Sequence, residues 1–199
     1  MMEQGNLPTQ RVNISTQKIF GGIGIIILNV SAILLILLSE IDELADLLDI
    51  LNTAGFILFL ISQCQLSYIL GKPIIFRKVL IGLILSVVGI LAIAFAFGII
   101  ADKTDVVSEL DSGTLITSII AFIIGYVITL LGFYFYKEAY DILAQAIAHN
   151  LFKTAGLLMF IGAITIILFG LGALLIFVGE ILLAVAFFTA PNEVEVQGT

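Results

Sequence analysis

Glu180 occupies the most unusual chemical setting in this chain: it is the eighth residue of an apolar run that begins near residue 173 and closes before Pro191. A carboxylic acid near mid-bilayer costs about 2.5–3.5 kcal/mol on insertion scales, so it faces protein or a water-filled cavity. Such a group either donates one hydrogen bond while neutral or cycles a proton. Its neighbours at helical spacing, Ala173, Ile176 and Ala184, include two small residues against which another helix can pack. Polar groups at comparable depth are Asn29, Ser31, the patch Ser62-Gln63-Cys64-Gln65, Ser67, Tyr126 and Thr129. The candidate intramembrane polar site is therefore Glu180 with Gln63, Gln65 and Asn29. Gln63 and Gln65 cannot point the same way on a helix, so at least one meets a neighbouring helix or the inner interface. Cys64, without a basic neighbour, reads as a buried and inert packing residue.

Other chemistries find little to work with. His-Glu-x-x-His, Gly-x-Ser-x-Gly, P-loop and paired intramembrane Asp patterns are missing, so no enzymatic activity is expected. One Cys, one His and no Trp exclude a disulfide framework, a Cys/His zinc site and most haem ligation from this chain alone. Neither a cofactor nor a metal site is expected. His149, beside the membrane, reads as an exposed polar residue. With only eight Lys and Arg and a net charge of −7, nucleic acid is not an expected partner.

The elements that must position Glu180 follow from composition. A chain of 199 residues that is 61% hydrophobic and 12% charged, with mean hydropathy +1.23, is an all-α integral membrane protein. Spans are predicted at about 19–38, 50–70, 79–101 and 115–136. The apolar stretch 154–190 would be roughly 55 Å long as one helix, so it should form two spans, 154–169 and 173–190, turning at Gly170-Leu171-Gly172. The expected architecture is a bundle of about six transmembrane helices, 19–190, between a polar N-terminus, 1–18, and a polar tail, 191–199.

Charge orients it. A cytoplasmic N-terminus puts Arg11, Lys18, Lys72, Arg77, Lys78, Lys137 and Lys153 inside and only Lys103 outside, and six spans return the C-terminus to the cytoplasm. Glu40, Asp42, Glu43, Asp46, Asp49, Asp102, Asp105, Glu109 and Asp111 then lie outside. Ser39 to Leu51 reads as a short acidic surface helix, a solvated face rather than a cation site because it lacks the ligand spacing of an EF-hand loop. Tyr68, Tyr134 and Tyr136 sit at inner span ends, where amphipathic rings favour the headgroups. Residues 137–153 either lie in the interface or extend the fourth helix.

In the third span Gly82, Ser86, Gly89, Ala92 and Ala96 recur at three- and four-residue intervals, which lets another backbone approach and places this helix at the centre of the bundle. Lys18-Ile19-Phe20, Ile75-Phe76-Arg77 and Leu151-Phe152-Lys153 open the odd spans alike, as three hairpins of related design would.

Lys18-Ile19-Phe20-Gly21-Gly22-Ile23-Gly24, Ile75-Phe76-Arg77, Tyr136-Lys137-Glu138-Ala139-Tyr140 and Leu151 to Leu158 with Ile161-Gly162-Ala163 resemble the prokaryotic multi-pass membrane family called domain of unknown function nine-nine-six. The resemblance runs from about Gln17 to Pro191 and implies an archaeal or bacterial cell-membrane protein, with no activity, substrate or catalytic residue attached. The leading functional expectation is a non-enzymatic accessory or scaffold component acting through helix–helix contacts in the lipid bilayer, as a homo-oligomer or with other membrane proteins. The alternative is a small transporter or proton-coupled permeation protein using Glu180.

Overall fold

The computed structural model describes residues 9–38, 41–101, 112–167 and 170–197. In hydrocarbon every backbone N–H and C=O must be satisfied within the chain, so the apolar runs become helices: α1 (Ser15–Leu37), α2 (Asp42–Ile69), α3 (Ile74–Ala101), α4 (Ser112–Ile147), α5 (Leu151–Thr165) and α6 (Leu171–Thr189). Five of them are long and apolar enough to cross a membrane, and α5 is a shorter apolar helix. Two strands, β1 (Thr9–Asn13) and β2 (Glu193–Gln197), complete the order.

The turns have local causes. Asn13 Oδ1 accepts from the Ser15 N–H at 2.9 Å and its hydroxyl at 2.6 Å, which starts α1. Between α2 and α3, Gly71 takes φ +63°, Ser67 Oγ donates to the Lys72 carbonyl, and Phe76 N–H donates back to Ser67 Oγ. The 154–190 stretch does break into a hairpin, at Gly170 with φ +81°.

Two expectations need correction and one open choice is decided. The acidic stretch after Ser39 is no separate surface helix: from Asp42 it forms the first turns of α2, because nothing between Leu48 and Thr53 interrupts helical geometry. Residues 137–147 extend the fourth helix rather than lying in the interface. The third helix is not central. Along their lengths α1 packs on α2, α3 on α4 and α5 on α6, while α6 also packs on α1 and α5 on α4. The α5–α6 hairpin thus sits between the other two, in the order α2-α1-α6-α5-α4-α3, and α2 and α3 share few contacts. The small-residue face of α3 is taken up by one partner. A methyl group built on Gly82 would stand 2.9 Å from the Gly132 carbonyl oxygen, and one on Gly125 2.8 Å from the Gly89 carbonyl oxygen, both in α3–α4 contacts.

The polar ends, expected only as tails, pair. β1 and β2 run antiparallel with Arg11 opposite Glu195 and Val12 opposite Val194. Ile14 N–H donates to the Asn192 carbonyl at 2.8 Å, and Lys18 Nζ donates to the Ala190 carbonyl at 2.6 Å. A lone two-stranded ribbon is marginal in water; this one is anchored by Ile14 and Val194, which are buried in the core. It brings both termini to one end of the bundle, the end that also carries Lys18, Lys72, Arg77, Lys78 and Lys153.

Replacing Gly125 by Leu should force α3 from α4 and lower stability in detergent by about 1–3 kcal/mol. Gly98→Leu, whose surroundings are open, should leave the melting temperature within a degree or two of wild type. Heating followed by size-exclusion chromatography reads both.

Candidate functional site

Glu180 projects from the middle of α6, about 14 Å from the Thr189 end at 1.5 Å per residue, and is partly buried. Asn29, about 21 Å from the start of α1, brings its side-chain amide close to the Glu180 carboxyl, with which it interacts. The Asn29 Nδ2 also donates to the Ile25 carbonyl of its own helix at 3.0 Å, which fixes the amide's orientation. Both groups line a cavity of about 230 Å³ to which all six helices contribute. Ile25 and Leu28 come from α1, Phe56 and Phe59 from α2, Ser86 and Ile90 from α3. On the other side stand Phe133, Tyr136 and Tyr140 of α4, Met159 of α5 and Leu183 of α6.

Its polar equipment is one carboxyl, one amide and three hydroxyls, with no basic side chain on the wall. Ser86 is 8% exposed and its Oγ has no hydrogen-bond partner. The orphan is costly in a low-dielectric interior unless something in the cavity meets it. Tyr136 and Tyr140 stack with ring centroids 6.5 Å apart, one turn of α4 from each other.

Of the four residues grouped by sequence, two come together. Gln63 is fully buried away from this cavity, and neither of its side-chain amide atoms has a partner. Gln65 is exposed and accepts a hydrogen bond from Gln17 Nε2 at 3.3 Å, so the two glutamines do point apart. Cys64 is exposed rather than buried, because it lies on the face of α2 turned away from α1. Of the small-residue stripe, Ser86 serves the cavity as well as the helix contact, whereas Gly82, Gly89 and Ala92 meet α4 and Ala96 is buried farther out. The sequence reading missed the aromatic wall. The spacing of Tyr136 and Tyr140 holds the signal, but Tyr140 falls in the 137–153 stretch, which the sequence alone leaves open between the interface and an extension of α4.

At the ribbon end, Lys78 of α3 pairs with Glu138 of α4, whose other oxygen accepts from Tyr134 Oη at 2.8 Å; Lys137 pairs with Asp141 at 2.8 Å. His149 Nε2 and Thr189 Oγ1 are 3.0 Å apart, joining the α4–α5 turn to the end of α6. Among the described residues no group of three or more His, Cys, Asp or Glu could hold a metal ion. Glu40, Asp102, Asp105, Glu109 and Asp111 lie outside the described residues.

The helices and their packing define a multi-pass α-helical membrane protein. Residues 51–181 match the model of the family described as protein of unknown function (DUF996), and the chain belongs to that family. The matched region holds Glu180, Ser86, Tyr136 and Tyr140, while Asn29 precedes it. An uncharacterized protein of Methanocaldococcus jannaschii is 31% identical over 149 residues, spanning 73% of this chain and 82% of that one. No solved structure matches the chain significantly.

Asn29→Leu strips a hydrogen-bond partner from a partly buried acid and should cost about 1–3 kcal/mol. Adding Glu180→Leu removes the orphaned acid as well, so the double variant should be at least as stable as Asn29→Leu alone. Thermal unfolding of the three proteins in one detergent measures the coupling.

Proposed function

We propose that this is a non-enzymatic cell-membrane protein that passes a small solute or a proton through the interior of its own bundle, with Glu180 as the working group. The observation that carries this reading is the convergence of all six helices on one cavity whose wall holds the Glu180 carboxyl and the Asn29 amide. A set of one acid, one amide and hydroxyls, with no base, suits binding and release better than general acid–base turnover. The basic residues at the ribbon end favour its placement in the cytoplasm. The small-residue stripe that motivates an accessory role is spent on the α3–α4 contact inside the chain.

A second reading keeps one observation. Ser118, 2% exposed and with an unpartnered Oγ, borders a cleft of about 260 Å³ with Ala96, Phe97, Ile119 and Phe122 at the outer end of the α3–α4 pair. A helix of a second copy or of another membrane protein seated there, supplying a hydrogen bond, is the scaffold alternative.

Reconstituted into liposomes, the wild-type chain should dissipate an imposed proton gradient, and Glu180→Gln should slow this at least tenfold. No flux above empty liposomes from the folded wild type contradicts transport and directs attention to the Ser118 cleft.

A further inference from the structure

The chemistry of the cavity wall names a ligand class. Phe56, Phe59, Phe133, Tyr136 and Tyr140 surround the space into which Glu180 faces. Aromatic faces attract cations, most strongly where water is excluded, and a carboxylate supplies a counter-charge. No Lys, Arg or His lines the cavity to compete. An anionic ligand would meet Glu180 with nothing to offset the repulsion. A wholly apolar one would desolvate the Glu180 carboxyl and offer it no hydrogen bond. A ligand that donates N–H groups from a positive centre meets both needs.

We propose that the cavity binds a small protonated amine with an apolar or aromatic body, its ammonium at Glu180 and its body against the aromatic side chains of α2 and α4. Size agrees: a cavity of about 150 Å³ lined by apolar residues takes up benzene, and the 230 Å³ here leaves room for an aminoalkyl chain beside a ring. Access comes from the bilayer. Ile90 lines the cavity and is 56% exposed, and it stands beside the α2–α3 seam, where the two helices share few contacts. Amphipathic amines concentrate in the bilayer, their bodies in lipid and their heads at the interface, and so reach the protein from the membrane side. This assignment rests on the reading of Glu180 as a working group and specifies what that group recognises.

The test is titration calorimetry of phenethylammonium into the full chain in a nonionic detergent, with 2-phenylethanol as an uncharged probe of similar shape. Wild type should bind the ammonium at least tenfold more tightly than the alcohol. Glu180→Gln should abolish that preference, and Tyr136→Leu, which leaves the carboxyl in place and removes an aromatic face, should weaken ammonium binding several-fold. Equal affinity for the two probes, an unchanged preference in Glu180→Gln, or no binding of the ammonium to folded wild type each overturns the assignment. Glu180-dependent proton flux in a protein that does not bind the ammonium would sink the ligand class and leave the transport reading standing.

Discussion

Close backbone approach at glycine is the constraint on which this bundle depends. Lipid tails are as apolar as Leu, so no hydrophobic force drives one helix of this protein onto the next, and packing has to come from contacts that lipid cannot match. Each hairpin has its own glycine contact: Gly24 with Gly55 in α1–α2, Gly82 with Gly132 and Gly89 with Gly125 in α3–α4, Gly162 with Gly172 in α5–α6. Where hairpins meet, the pattern changes to ring against glycine. Phe187 and Phe188 of α6 cover Gly21 and Gly22 of α1, and Tyr140 of α4 covers Gly156 of α5. Within hairpins glycine backbones meet; between them aromatic side chains of α6 and α4 fill the space over the glycines of α1 and α5.

The cavity lies where side chains of all three hairpins converge, and Glu180 and Asn29 line it. The β1–β2 ribbon and the pairing of Lys78 with Glu138 secure one end of the assembly. At the other end no comparable bond joins α2 to α3 among the described residues. The protein is tied at its basic end and least closed along one side, an arrangement suited to admitting something from the membrane plane.

Much of this was legible in the sequence because the bilayer imposes a length on every span and the basic residues fall at one end. The six helices, the break at Gly170, the shared side of both termini and the exceptional standing of Glu180 all follow from apolar run length and charge. What escaped depends on pairing between distant segments. The alternation of Val12, Val194 and Val196 with polar residues was a strand signal, but five-residue runs beside a membrane span carry little weight until their partner is known. The small-residue stripe showed that α3 has a close neighbour without showing that α4 alone satisfies it. Gln63 and Gln65 looked like companions of Glu180 by depth, and helical rotation sent one into the interior and the other outward.

The central claim is that the interior space beside Glu180 is reachable and selects for positive charge. Its most direct test is the reaction of Leu28→Cys, a cavity-lining position, in a Cys64→Ser background, with methanethiosulfonate reagents of opposite charge. The cationic ethylammonium reagent should modify Cys at this position at least tenfold faster than the anionic ethylsulfonate reagent, and adding Glu180→Gln should erase the difference. Equal rates with the carboxyl in place, or no modification by either reagent in folded protein, would contradict the account.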